Sequence, residues 1–327
     1  MEQVVPADDL DAALGVELLR GMWRIRAFEE RVAQLTRADE VHGLVHLSIG
    51  QEAVAVGVCS QLRSDDAVYG NHRAHGHAIA KGAPLGRVMA ELMGRDGGLC
   101  RGLGGSMHLV DVEHGFLGAT GVVGGNVPLA LGSALASRLH GGDAVAVVFF
   151  GDGAAQGGIF VESVNLAALW ALPVVLVCEN NGFAEFTPRS AHSTVERVAD
   201  VVAPYGFERA TVDGNDVDAV RRGFAGFLDV ARRGDGPFLL ECLTHRLRGH
   251  YEGDAQRYRE ALAQDEWQQR DPLRRLERRG VDEGWLEDDA AGGLEQEARV
   301  EVEDAVRFAR ESPFPAAGLI SELTSVT

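Results

Sequence analysis

The 327-residue chain has only four cysteines, and no two stand close enough to make a Cys-x-x-Cys metal or redox motif. Cys59, Cys100, Cys178 and Cys242 each lie in or beside an apolar or glycine-rich run, which reads as four buried or idle thiols in a protein of the reducing cytoplasm. No apolar run approaches the ~20 residues that a membrane span needs, and no signal-like segment opens the chain, so no membrane partner is expected. Positive charge is in deficit: 31 Lys and Arg face 49 Asp and Glu, a net charge of −18. A phosphate backbone demands a basic surface, so a nucleic-acid partner is disfavoured, and any anionic ligand must be held by local donors. Linkers, domain-scale repeats and low-complexity tracts are also missing. Since α/β domains often run past roughly 250 residues, residues 1–327 are read as a single domain.

What remains is an ordinary globular composition, 46% apolar and 24% charged, able to bury a large core. After an acidic start expected to fray, Leu14, Leu18, Met22, Ile25, Glu29, Val32 and Leu35 recur at three- and four-residue spacings. They predict an amphipathic helix over about 10–37. A second helix opens near Gln51, and a third has Pro84 in its first turn. Eleven glycines then crowd residues 94–125. Met107, Leu109, Phe116 and Val122 are interleaved with them, which predicts an ordered loop packed on the core. From Val127 the pattern becomes helix, strand (144–150), helix, strand (173–179), helix (215–232) and strand (237–247). This is the signature of a mostly parallel sheet with helices on both faces. A charged helical tail follows over about 265–327.

The segment "GDGAAQGGIFVESVNLAALWALPVVLVCENN" ends two strand-like runs with polar residues: Asp152 between two glycines, then Asn180 and Asn181. Ligands of open parallel sheets sit beyond the carboxyl ends of the strands. A carboxylate, an amide oxygen and a free backbone carbonyl there are hard donors suited to Mg²⁺ or Ca²⁺ with phosphate oxygens and water. Gly153 and Ala154 are placed to present N–H groups at the following helix start to an anion. An Asp helix cap and an Asn pair closing a strand is the plain alternative.

Gly-Asp-Gly, twenty-six residues and Asn-Asn resembles the thiamin diphosphate fingerprint. "HLSIGQEAVAVGV", "NHRAHGHAIAKG", "GLGGSMHL", "GVVGGNVPLA", "NLAALWALPVV" and "RGHYEGDAQRYR" follow in family order. Over roughly residues 15–320 the chain thus resembles the α subunit of the thiamin-dependent 2-oxo acid and acetoin dehydrogenases, the E1 component. The resemblance implies the thiamin diphosphate-binding α/β fold, with Mg²⁺ on Asp152, Asn181 and the Phe183 carbonyl, a position where the family often has Tyr. It implies diphosphate contacts from Arg73 and Arg246, with Gly153 and Ala154 beside them, and aminopyrimidine contacts from the Gly121 and Val123 backbone. His46 and His250 would face the reacting carbon. His72 stands on the cofactor side, where pyruvate-type members often carry Tyr, and His75 is open between structural and functional roles. A His72, His75 and His77 metal cluster is a minor alternative, since no thiolate or carboxylate completes it.

The implied reaction cleaves a C–C bond of a 2-oxo acid or acetoin and passes the acyl unit to a lipoyl partner, the cofactor carrying the hard chemistry. The glutamate that activates the cofactor has no second domain to come from here. The resemblance therefore implies an E1 β subunit in an α2β2 heterotetramer, and a lipoyl acyltransferase E2 as a further partner. "HRAHGHAIAKG" and "GHYEGD" lean toward acetoin-type members. Alternatives are an acyloin-forming lyase or transferase, a non-catalytic scaffold subunit, and a nicotinamide dehydrogenase resting on "GATGVVGG". The last is set aside because no apolar strand is expected before those glycines. Residues 244–260 hold four arginines and two histidines with little apolar content to anchor them, and are expected to stay mobile until an anion organises them.

Overall fold

A computed structural model describes residues 10–259, 266, 269–287 and 290–324. The acidic start and Asp265 lie outside that range. Helix α1 (Ala12–Arg37) begins where Asp11 accepts a hydrogen bond from the Leu14 N–H at 2.8 Å, and it buries Leu18, Met22, Ile25, Glu29, Val32 and Leu35. Then come α2 (Glu52–Cys59), β1 (Ala67–Gly70), α3 (Ala74–Lys81) and α4 (Leu85–Leu92), with Pro84 as the N-cap of α4 rather than inside its first turn. Within the glycine-rich stretch comes β2 (Phe116–Ala119), and past it are α5 (Asn126–Leu139), β3 (Ala146–Gly151), α6 (Gly158–Leu169) and β4 (Val174–Asn180). A small antiparallel pair, β5 (Phe183–Ala184) and β6 (Thr187–Pro188), leads to α7 (Arg189–His192) and α8 (Val198–Val202). The sheet resumes with β7 (Glu208–Asp213), α9 (Val217–Arg232) and β8 (Phe238–Leu243). The tail holds helices Pro272–Asp282, Ala290–Glu311 and Leu319–Thr324.

The main sheet has the order β2-β1-β3-β4-β8-β7, and every neighbouring pair is parallel. Its strands alternate between two cores. Val147, Phe149, Val175, Val177 and Leu240 face the core shared with α1, α2, α3, α4 and α9, while Val148, Phe150, Leu176, Cys178 and Leu239 face that shared with α5, α6 and α8. With both faces covered, a strand can be apolar at every position, and that is why β3 and β4 stood out in the sequence. The strands with no such run escaped it: β1 and β2 span four residues each, and β7 alternates between exposed and half-buried positions at the sheet edge. Because β2 runs into the "GATGVVGG" stretch and takes in its first two residues, Gly118 and Ala119, the expectation of no strand there is corrected. Among the described residues no helix is long and apolar enough to cross a membrane.

The glycine loop is ordered by a carboxylate as well as by packing. Leu109 and Phe116 are buried, but Val122 is 69% exposed and does not pack as expected. Glu91, buried on α4, accepts from the backbone N–H groups of Cys100, Gly102, Gly104 and Gly105 at 2.7–3.1 Å. Stranding such donors costs about 1–3 kcal/mol each where water cannot reach. Glu91→Ala should therefore lower stability by roughly 2–4 kcal/mol in denaturant unfolding and open residues 98–107 to proteolysis. An unchanged midpoint with an uncut loop overturns this role.

Candidate active site

The carboxyl ends of β1, β3 and β4, with the segment after β8, surround a cavity of about 300 Å³. Eleven of the twelve residues to which the resemblance gives a metal, cofactor or catalytic role line it: His46, His72, Arg73, Gly121, Val123, Gly153, Ala154, Asn181, Phe183, Arg246 and His250. Asp152 is the twelfth. It is fully buried between the lining residues Gly151 and Gly153, and neither of its oxygens has a hydrogen-bond partner. The nearest basic side chains, Arg189 and His192 of α7, stand 3.9 and 3.7 Å from Oδ2. Burial holds this carboxyl above the ordinary aspartate range, offset in part by those two neighbours. An orphaned buried carboxylate is costly unless something fills the gap, and a divalent cation suits it.

The turn after β3 is a 3₁₀ helix, Asp152–Gln156, and α6 begins only at Gly158. The N–H groups of Gly153 and Ala154 therefore belong to the start of that 3₁₀ helix and not to α6. Gly153 is required by close approach: a Cβ there would lie 2.7 Å from the Ala184 Cβ. The two asparagines part company. The Asn180 amide donates to Glu241 at 2.6 Å and its oxygen accepts from the Gly182 N–H, so it is spent on the fold. Asn181 lines the cavity, with its oxygen accepting from the Phe183 N–H at 3.3 Å.

Elsewhere in the lining, two guanidiniums meet one imidazole. Arg246 Nη1 and Arg73 Nη2 approach His250 Nδ1 at 2.9 and 3.2 Å, and Arg73 also donates to the carbonyls of Leu47 and His250. A guanidinium only donates. Nδ1 is therefore the acceptor, and the His250 proton sits on Nε2. Ring nitrogens of His46, His72 and His250 all lie within 4.8 Å of one another. Burial, reinforced by Arg73, pushes His46 down to about 4 and His250 down to about 3, and holds His72 well below the usual imidazole range. All three rings enter neutral. Burial and the facing Arg246 likewise pull Arg73 down to about 9. This side of the cavity is short of negative charge, and Arg246 Nε is buried without a partner.

The "NHRAHGH" histidines do not form a cluster of their own. His72 joins His46 and His250, whereas His75 and His77 sit on α3 and point into the fold. His75 bonds Glu29 and Ser106 at 2.9 Å each, and His77 bonds Glu179 at 3.0 Å while stacking on Phe149. The segment after β8 has the polar anchor that the sequence reading missed: Asp254 accepts from the His250 and Gln256 N–H groups and the Tyr258 hydroxyl at 2.6–2.8 Å. Arg189 and His192 were missed as well. Their only signal was position in the loop after Asn-Asn, because their relation to Asp152 arises in the folded chain.

A model of the dehydrogenase E1 component family matches residues 20–318. The alpha subunit of acetoin:2,6-dichlorophenolindophenol oxidoreductase from Bacillus subtilis is 45% identical, the match covering 90% of this chain and 88% of that one. The subunit of the same description from Cupriavidus necator is 41% identical, covering 94% and 92%. The pyruvate dehydrogenase E1 component alpha subunit of Rhizobium meliloti is 42% identical, covering 94% and 87%.

The orphaned carboxylate yields a prediction with a definite sign. Because the pKa of Asp152 is raised in the fold, the native chain holds this proton more tightly than the unfolded one. Ligand-free stability therefore falls as pH rises from the ordinary value of 3.8 through the raised one. Asp152→Asn removes that loss. At neutral pH the ligand-free variant should melt at or above the wild-type temperature, with the gap closing as pH drops toward about 4. A variant that melts clearly lower at neutral pH refutes the assignment of Asp152 as an uncompensated charge.

Proposed function

The chain belongs to the dehydrogenase E1 component family, matched along residues 20–318, and from that premise we propose that it is the α subunit of an acetoin-cleaving, thiamin diphosphate-dependent oxidoreductase. Its placement as an E1 α subunit rests on its relatives, the alpha subunits of acetoin and pyruvate dehydrogenase components at 41–45% identity. The observation that carries the site is the set of uncompensated charges at one cavity: Asp152 buried beside its wall with neither oxygen hydrogen-bonded, and Arg73 and Arg246 in its lining without a carboxylate bonded to either. That pairing fits a divalent cation and a diphosphate together. Mg²⁺ would take Asp152, Asn181 and the Phe183 carbonyl, Arg73 and Arg246 the diphosphate, and the Gly121 and Val123 backbone the aminopyrimidine. When bound, thiamin diphosphate supplies the nucleophile and electron sink for C–C cleavage.

The residues of this chain supply proton handling. His250, fixed with its proton on Nε2, donates to a substrate carbonyl, and neutral His46, whose Nδ1 is buried without a partner, accepts a proton from a hydroxyl. A substrate that is uncharged and carries both groups suits three neutral imidazoles. A 2-oxo acid would bring a carboxylate whose nearest cations are the two guanidiniums assigned to the diphosphate. Acetoin is therefore the substrate we favour.

A β subunit completes the cleft. Of the glutamates lining the cavity, Glu179 is engaged by His77 and Asn71, and Glu185 is the other. Val122 and Val123 at the cavity are 69% and 63% exposed, with Leu129 and Ile159 exposed on α5 and α6, an apolar surface that suits a subunit interface. The purified chain alone should reduce 2,6-dichlorophenolindophenol with neither acetoin nor pyruvate. With its β subunit, thiamin diphosphate and Mg²⁺ it should do so with acetoin in clear preference. Activity of the homogeneous single chain, or preference for pyruvate, refutes the corresponding half of the proposal. Asp254→Ala in that complex should speed proteolysis within 246–259 and raise the thiamin diphosphate requirement several-fold, and an unchanged requirement removes this loop from the cofactor site.

A further inference from the structure

The carboxyl edge of the sheet carries a second crevice. The first lies over β1, β3 and β4; this one, of about 450 Å³, lies beyond the ends of β4, β8 and β7 at Asn180, Leu243 and Asp213. Asn181 lines both. The second crevice gathers Arg189, Arg197, Arg270 and Arg275 against Glu196 and Asp213, four fixed positive charges to two negative in a chain of net charge −18.

The pairing of these arginines is incomplete. Arg275 binds Asp213 at 2.7 Å. Arg197 comes no nearer than 3.8 Å to Glu196, and Arg270 contacts only the His245 ring among the described residues. Arg189 spends Nε and Nη2 on the backbone carbonyls of Glu196 and Val195, while its Nη1 is buried without a hydrogen bond, 3.9 Å from Asp152. Three guanidiniums thus line one concavity at strand ends without a hydrogen-bonded carboxylate among the described residues. Forked donors in that setting suit a tetrahedral oxyanion.

We propose that this crevice is a regulatory site for a small molecule bearing a phosphate or similar oxyanion, and that filling it strengthens divalent-cation binding at Asp152. The coupling runs through Arg189, which lines the crevice and faces the carboxylate. Its charge opposes a dication there, and an anion at its other side offsets that charge. The inference rests on the assignment of Asp152 as a metal ligand made above.

The test uses the α/β complex with saturating thiamin diphosphate, and sodium sulfate as the probe against sodium chloride at equal ionic strength. The readout is the Mg²⁺ concentration that retains half of the cofactor through gel filtration. Sulfate should lower this midpoint about fivefold, at the low end of allosteric couplings. The effect should vanish in an Arg197→Met, Arg270→Met double variant. Arg189→Met should mimic bound sulfate, with a lowered midpoint in chloride and no further response. Equal midpoints in sulfate and chloride overturn the proposal, as does a sulfate effect that survives the double variant. A raised midpoint, from sulfate competing at Arg73 and Arg246, overturns it too. Retention independent of Mg²⁺ overturns the metal assignment, and the proposal with it.

Discussion

Buried carboxylates hold this structure together, and the site exists because one of them is left out. Glu91 gathers four backbone N–H groups of the glycine loop. Glu241 takes the Asn180 amide, the Val198 and Ala199 N–H groups and the Thr211 hydroxyl, tying β4, α8 and β7 together. Glu29 holds Ser48 and His75, and Asp66 holds the Arg63 and Val145 N–H groups and Arg232. In each case the cost of burying a charge is offset by charge-assisted hydrogen bonds that fix a loop. Asp152 bears that cost and receives no hydrogen bond in return.

These anchors determine how sharply the cavity is defined. Its walls are loops, which by themselves would wander by more than a ligand site tolerates. Glu91 and Asp254 set the glycine loop and the His250 segment from within, and Glu241 aligns the end of β4 so that Asn181 faces the cavity while Asn180 turns away.

Much of this was legible in the sequence, for physical reasons that also mark the limit. Strands covered on both faces announce themselves as apolar runs, so β3, β4 and β8 were found and with them the strand ends that carry Asp152 and Asn181. Short strands such as β1 carry no periodicity, and in α3 two histidines, His75 and His77, mask by their polarity a helix that is almost wholly buried. Pairings across long stretches of chain, such as Glu29 with His75 or Arg189 with Asp152, leave no local trace. The sequence could propose that His72, His75 and His77 act together, but only the fold separates them, since His72 precedes α3 while the other two sit on it.

The charges across the cavity carry a last consequence for how its occupants arrive. A cation alone would satisfy Asp152 but add to the positive field of Arg73 and Arg246, which reinforces the burial that keeps three imidazoles neutral. An anion alone would satisfy the arginines but press its charge toward a carboxylate that burial already disfavours. Each ion relieves one side and strains the other, so on the proposed assignment the two bind best as a neutralised pair. The same logic explains why the histidines can be uncharged donors and acceptors beside so many ions. Burial depresses them first and the arginines assigned to the diphosphate add to it, while the proton on His250 Nε2 is set by hydrogen-bond geometry at Nδ1. Proton placement on His250 and the proposed ion binding are thus joined through two guanidiniums.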